Sequence, residues 1–193
     1  MKWFLSILVI LSLVVNCFFI YEEVQIKHFE EMGRIMNKAM GGGPIDKVPW
    51  EKGIKLFMDT LKQKHPELAK KKYFYVNIWA TFCRPCIKEM PWLDSLAGDI
   101  DKDVAYLFIT ENANAAAQQC IDRQKFKLKK FVFLHDMEGF VDAAFNAKKS
   151  KGKSYPTILM FDAQGKIIHT EVGAYESYNE AKGDFPKLFK ELK

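Results

Sequence analysis

The chain begins with a long apolar run that carries no charged side chain. This run extends from Trp3 to Ile20, with a lysine before it and two glutamates after it. It is about long enough to cross a bilayer as a helix. The alternative, a cleaved signal peptide, is disfavoured because small residues in an A-x-A-like arrangement are absent near its end. We therefore expect residues 1–20 to anchor the chain in a membrane, with the remainder exported.

A segment of mixed polarity separates this apolar run from the rest of the chain. Apolar residues at helical spacing occur as far as Met40, and the sequence G-G-G-P that follows ends the periodicity. We interpret residues 21–49 as a stalk or linker. Residues 50–193 then form one folded domain, whose size suits a single hydrophobic core.

From residue 50 onward, helical and strand patterns alternate. The first is a helix over Trp50–Lys64, with apolar side chains on one face. Strands are predicted over Tyr73–Trp79, Val104–Thr110, Phe131–His135, Thr157–Phe161 and Lys166–Val172, and further helices over Arg84–Ile100, Ala113–Leu128, Gly139–Lys148 and Tyr178–Leu192, the last kinked or restarted at Pro186. Parallel strands need helical crossovers, whereas the last two strands flank a short turn. The pattern therefore predicts an α/β fold whose central mixed β-sheet is covered on both faces.

Composition argues against several classes of function. The chain is 49% hydrophobic and 27% charged, which is an ordinary balance for a globular protein. Its net charge of +5 is mild, and the basic residues are interleaved with acidic ones, which does not favour nucleic-acid binding. The sequence contains no phosphate-cradling glycine loop. We expect neither a nucleic-acid partner nor a cofactor.

Two cysteines stand at the start of a predicted helix that follows a predicted strand. Cys83 and Cys86 are three residues apart, so at a helix start they lie on one face and can form a disulfide. Unpaired backbone N–H groups there stabilise a thiolate. We expect an exposed Cys83, with a pKa below the free value of about 8.5, to attack and a shielded Cys86 to resolve. Pro85 suits the first helical turn.

Other interpretations of this cysteine pair remain open. A zinc half-site would need two more ligands, and the other cysteines, Cys17 and Cys120, are isolated in the sequence. Covalent haem attachment would need a histidine after the second cysteine, where Ile87 stands. A purely structural disulfide is a further alternative, although so short a loop restrains little of the unfolded chain. For Cys120 itself we expect a small buried hydrophobic residue.

The order of strand, cysteine pair and helix resembles that of the thioredoxin superfamily, and more narrowly that of the TlpA/ResA-like thiol:disulfide oxidoreductases. The sequence W-A-T-F-C-R-P-C runs from Trp79 to Cys86, and C-I-K-E-M-P follows with the family's glutamate at Glu89. The segment from Phe131 to Gly139 resembles the strand and helix inserted in that family. The sequence Y-P-T followed by F-D-A-Q-G-K, beginning at Tyr155, resembles the segment after the insertion.

The resemblance implies a thioredoxin-like three-layer fold and assigns roles to individual residues. Pro156 would be the cis-proline that faces the dithiol, exposing the backbone of Tyr155 to an extended substrate. Tyr155 would also contact bound peptide through its ring, or else only pack beside Trp79. Trp79, Arg84 and Pro85 would support the site or contact substrate.

The positions where superfamily members handle protons are also recognisable. Asn77 occupies the strand position where thioredoxin carries a buried acid, which leaves proton transfer to Glu89, water or substrate. Glu89 is either a partly buried carboxylate near the dithiol with a raised pKa or a solvated helix residue. The lysine-rich loop from Lys148 to Lys153 is interpreted as solvated in preference to an active-site rim that attracts acidic partners.

The predicted function is that of an extracytoplasmic thiol:disulfide oxidoreductase, with reduction favoured over oxidation. Its partners would be proteins with disulfides or thiols, and a membrane electron donor would recycle it. Its location would be the bacterial periplasm, with the catalytic domain membrane-anchored, or soluble there if the signal peptide is cleaved. A thiol peroxidase of related fold and a copper or zinc chaperone that uses the same cysteines are the alternative functions.

Overall fold

The structure is a computed structural model that describes residues 47–97, 102–150 and 152–192. The predicted anchor over residues 1–20 and most of the predicted linker over residues 21–49 lie outside these ranges. Among the helices of the described ranges, none is both long and apolar enough to span a membrane.

The described residues form alternating strands and helices. In chain order these are α1 (Trp50–Lys64), β1 (Tyr73–Ile78), α2 (Arg84–Ala97), β2 (Val104–Ile109), α3 (Asn114–Gln124), β3 (Phe131–Leu134), α4 (Glu138–Ala147), β4 (Thr157–Asp162), β5 (Ile167–Val172) and α5 (Tyr178–Asp184), followed by a 3₁₀ segment (Phe185–Leu192). Every helix and strand that the sequence predicts from residue 50 onward is therefore present in the described part of the chain.

The five strands form one mixed sheet in the order β3-β2-β1-β4-β5. The β1–β2 and β2–β3 pairs are parallel, and the β1–β4 and β4–β5 pairs are antiparallel. Between β4 and β5 the carboxylate of Asp162 accepts hydrogen bonds from the backbone N–H groups of Gln164 and Lys166. Gly165 completes this turn with a φ of 82°, in the left-handed region that glycine tolerates.

Side chains on the two faces of the sheet pack against different helices. On one face, α1 and α4 cover alternate β1 residues, with Phe57 and Phe140 stacked 4.9 Å apart between ring centroids. On the other face, α2, α3 and the C-terminal 3₁₀ segment pack around Tyr75 and Trp79. Alternation along β1 produces this division. The predicted three-layer arrangement is confirmed.

The ends of α3 and α5 can be compared with the predicted helix ends. The prediction that the third helix would continue to Leu128 is wrong, because Lys125 adopts a left-handed φ of 52° and its N–H donates to the carbonyl of Asp122. The predicted break at Pro186 is confirmed, since α5 ends at Asp184 and a 3₁₀ segment begins at Phe185. Proline cannot donate the backbone hydrogen bond that would continue an α-helix.

A buried carboxylate on α2 holds the start of the edge strand β3. Asp94 accepts hydrogen bonds from the backbone N–H groups of Lys129, Lys130 and Phe131, at donor–acceptor distances of 2.7 to 3.1 Å. These amides would otherwise need other partners at the edge of the sheet. Asp94 therefore links the helix that carries the cysteines to the outermost strand.

Helices α1 and α4 approach closely at Gly53. A Cβ atom placed on Gly53 would lie 2.2 Å from the Cβ of Ala143, far closer than two carbon atoms can pack. Gly53→Ala should therefore lower the free energy of unfolding by about 1–3 kcal/mol, although alanine is the better helix former. Urea unfolding of the full chain in detergent measures the change.

Gly183 in α5 provides the matched control, because a Cβ placed there would have no heavy atom within 4 Å apart from its chain neighbours and the backbone of its own helix. Gly183→Ala should leave stability unchanged or raise it by up to about 1 kcal/mol. Equal effects of the two substitutions would contradict the packing explanation.

Candidate active site

A disulfide joins Cys83 and Cys86 at the start of α2, with their Cα atoms 5.3 Å apart. Cys83 immediately precedes the helix, and its carbonyl accepts a hydrogen bond from the N–H of Ile87, 3.1 Å away. The backbone N–H of Cys86 points at the sulfur of Cys83, with a nitrogen–sulfur distance of 3.2 Å. The first turn of the helix thus directs an N–H donor at the sulfur atom where a thiolate would form.

The two sulfur-bearing residues differ in accessibility. Cys83 retains 5% of its surface, whereas Cys86 retains none. The expectation that Cys83 is exposed is therefore wrong in degree, because it packs within the apolar cluster on the α2 face of the sheet. As expected, Cys83 is the more accessible of the two. Within the pair, a partner from solvent can therefore reach Cys83 but not Cys86.

Asn112, just beyond the end of β2, fixes the loop that leads to Cys83. Its Oδ1 atom accepts hydrogen bonds from the N–H of Thr81, at 2.9 Å, and from the hydroxyl of Thr110, at 3.1 Å. The sequence prediction did not include Asn112. Its position directly after a parallel strand was the available signal, because such strand ends gather functional side chains at one edge of a sheet.

The peptide bond between Tyr155 and Pro156 is cis, as the resemblance implied. It directly precedes β4, where Thr157 pairs with Ile78 at the end of β1. We call the segment from Trp79 to Cys83 the cysteine loop and the segment that ends at Pro156 the proline loop. Since β1 leads into the cysteine loop, the two loops lie at the same end of the sheet. The ring of Tyr155 contacts Phe82 in an edge-on arrangement, with centroids 5.9 Å apart, directly before Cys83.

The predicted supporting residues occupy different environments. Trp79 packs with its ring centroid 6.0 Å from that of Phe133 and presents no surface to solvent in this conformation. Arg84 and Pro85 are exposed on the first turn of α2, beside the disulfide. Tyr155 is half-buried and packs against Phe82 and Phe145.

Glu89 is fully buried one turn beyond Cys86 on the same helix. Its Oε1 accepts a hydrogen bond from the amide of Asn77 at 2.8 Å, and its Oε2 accepts one from the backbone N–H of Tyr175 at 3.1 Å. Burial nevertheless raises the pKa of Glu89 to about 7, although both hydrogen bonds oppose the shift. The structure thus favours the buried carboxylate over the solvated helix residue.

The lysine-rich loop differs from the expectation at its last residue. Lys153 is not solvated: its side chain is 5% exposed, and its ammonium pairs with Glu111 and, at 2.9 Å, with Asp142. Burial by itself would lower the pKa of Lys153, but its interactions with the two carboxylates outweigh that effect and raise it. Tyr155 donates a hydrogen bond from its hydroxyl to Glu111 at 2.7 Å.

Cys120 lies in a different environment from the cysteine pair. Cys120 is half-buried rather than buried, and its sulfur lies 3.8 Å from the carbonyl oxygen of Thr81. Burial raises the pKa of its thiol, which disfavours a thiolate. Among the described residues, no group of three or more histidine, cysteine, aspartate or glutamate side chains could hold a metal ion.

A cysteine pair at a helix start, a cis-proline at the same end of the sheet and a three-layer mixed sheet define a thioredoxin-like protein. A family model described as Redoxin matches residues 54–185, and the chain belongs to this family.

Individual relatives carry names that describe thiol chemistry. The chain is 25% identical over 129 residues to the thiol-disulfide oxidoreductase ResA of Halalkalibacterium halodurans, which covers 64% of this chain and 68% of that protein. It is 31% identical over 107 residues to the thioredoxin-like protein YneN of Bacillus subtilis, covering 54% of this chain and 59% of the relative. The crystal structure of StoA from Bacillus subtilis is 20% identical, with coverage of 59% and 82% and a TM-score of 0.45.

The family match and the sequence relatives confirm the resemblance to ResA-like proteins. Together with the disulfide between Cys83 and Cys86, they also confirm the prediction that the chain is a thiol:disulfide oxidoreductase.

The raised pKa of Glu89 should appear in the pH dependence of stability. Its folded pKa of about 7 lies above the usual value of 4.5, so its protonated form stabilises the fold below pH 4.5 and this contribution is lost as the pH rises to 7. Relative to the wild type, Glu89→Gln should therefore gain about 3 kcal/mol in unfolding free energy between pH 4.5 and pH 8. Urea unfolding at both pH values measures this change.

The exposed Glu138 on α4 provides the control, since Glu138→Gln should show no comparable pH-dependent difference from the wild type. A pH-independent difference for Glu89→Gln would show that Glu89 ionises as an ordinary carboxylate.

Proposed function

We propose that this protein reduces disulfide bonds in other proteins, outside the cytoplasm, while tethered to a membrane by its N-terminal apolar segment. The observation that carries the proposal is the disulfide at the start of α2, in which Cys83 but not Cys86 retains exposed surface. The structure holds the oxidised form, which is the state that remains after one round of reduction.

The first step is an attack by Cys83 on the substrate disulfide. In the reduced protein the Cys83 thiolate bonds to one substrate sulfur, the substrate S–S bond breaks, and the other substrate sulfur leaves as a thiolate. The N–H of Cys86, 3.2 Å from the Cys83 sulfur in the oxidised form, supports negative charge on that sulfur. The product of this step is a mixed disulfide between Cys83 and the substrate.

The second step releases the substrate. Cys86, as a thiolate, attacks the Cys83 sulfur, so that the Cys83–Cys86 bond forms and the mixed disulfide breaks. Two electrons have then passed from the dithiol to the substrate disulfide. Cys86 is fully buried and must lose a proton, and we assign its removal to Glu89, which lies one turn further along α2. A pKa of about 7 suits a group that exchanges protons near neutral pH.

Features of the sequence support the proposed direction and location of the reaction. Pro85 between the cysteines, as in thioredoxin, favours reduction. The uncharged run from Trp3 to Ile20 supports a membrane anchor, and disulfides persist mainly outside the cytoplasm. A membrane electron donor would return the disulfide to the dithiol.

Insulin reduction tests the reductase activity. The full chain in detergent, supplied with dithiothreitol, should accelerate insulin precipitation, and Cys83→Ser should return the rate to that of dithiothreitol alone because it removes the attacking sulfur. Cys120→Ser is the matched control and should retain the wild-type rate, since its thiol has a raised pKa. Wild-type activity in Cys83→Ser would refute the assignment of the nucleophile. Peroxide consumption faster than that of a generic thiol would favour a peroxidase.

Trapping in the native host tests direction and clients together. Cys86→Ser should accumulate mixed disulfides through Cys83, because the second step cannot occur. Those adducts should be found in the membrane fraction and should be absent from Cys83→Ser.

An alkaline phosphatase fused after residue 193 should be active only if the domain is exported. An inactive fusion would contradict the proposed location.

A further inference from the structure

A buried cluster of charged groups lies behind the loop that precedes Pro156. We call it the Lys153 cluster. It consists of the charged side chains of Glu111, Asp142 and Lys153, together with the hydroxyl of Tyr155. The side chains of Lys153, Glu111 and Asp142 are only 5%, 9% and 2% exposed. The reaction described above uses none of these groups.

The cluster joins three parts of the fold. Glu111 follows the end of β2, Asp142 belongs to α4, and Lys153 and Tyr155 lie in the loop between α4 and β4. The ammonium of Lys153 pairs with both carboxylates. Glu111 uses its second oxygen to accept the hydroxyl hydrogen bond of Tyr155, at 2.7 Å. Lys153 therefore acts on Tyr155 through a single shared carboxylate.

Stability alone does not explain why buried charged groups are used at this position. Removing charges from water is costly, and apolar side chains of similar size often stabilise a fold equally well or better. A charge-assisted network instead requires specific distances and directions. The ring of Tyr155, fixed in this way, lies against Phe82, which is 46% exposed and directly precedes Cys83.

We propose that Lys153 and Glu111 are positioning residues for substrate binding. They hold the ring of Tyr155, and with it the backbone next to Pro156, in the orientation that receives a polypeptide beside Cys83. This inference rests on the proposed reduction of protein disulfides. Its consequence is that the cluster affects the affinity for a polypeptide substrate but leaves the chemistry at the sulfurs unchanged.

The test compares two substrates in the full chain in detergent. Lys153→Met removes the ammonium and keeps the stem, and it should raise the KM for insulin roughly tenfold with little change in kcat. The rate with a small disulfide, hydroxyethyl disulfide, should stay within about twofold of wild type, because this probe needs no polypeptide-binding surface. Lys72→Met, at an exposed ion pair with Asp103, is the matched control and should change neither parameter.

A second variant covers the case in which Lys153→Met does not fold. Tyr155→Phe removes only the hydroxyl that reaches Glu111 and leaves the three charged groups paired, and it should also raise the KM for insulin. If both single variants fold, their double variant should raise the KM no more than Lys153→Met alone, because both act through Glu111.

Three results would overturn the inference. These are an unchanged KM in Tyr155→Phe, an unchanged KM in a folded Lys153→Met, and an equal loss of activity toward insulin and the small disulfide. A wild-type protein that does not reduce insulin would instead overturn the proposed function itself, and the inference with it.

Discussion

The site depends on the way helix α2 begins. At this point the carbonyl of Cys83 accepts the hydrogen bond that starts the helix, while its sulfur faces the N–H of Cys86. The same backbone turn brings the two sulfurs within bonding distance and places a donor beside the one that attacks. Helix formation and thiol chemistry therefore use the same few atoms, and a change in the first turn would affect both.

Buried acidic side chains lie on both faces of the sheet, and Glu89 and Asp142 differ in the partners of their carboxyl groups. On the α2 face, Glu89 has amide partners only, so burial keeps its pKa near 7. On the α4 face, Asp142 is paired with the ammonium of Lys153. Glu89 can therefore exchange protons near neutrality, whereas Asp142 serves geometry.

Sequence reasoning worked where a feature is local. The spacing of apolar residues placed α1 at Trp50–Lys64, and the break at Pro186 followed from its missing N–H. It was less successful where distant segments meet. The sequence favours a solvated Lys153, because it does not show that the segment after β2 and a turn of α4 bring carboxylates to this side chain. Lys125 offered no signal either, since lysine has no preference for a left-handed φ.

Two consecutive residues just beyond the end of β2 contact two different loops of the site. Glu111 binds the hydroxyl of Tyr155 in the proline loop, and Asn112 binds the backbone of Thr81 in the cysteine loop. A single peptide unit therefore acts as a fixed spacer between the two loops. One residue inserted at this point would separate the loops even if every side chain were retained, so chain length there is a stricter requirement than the identity of the exposed residues around the disulfide.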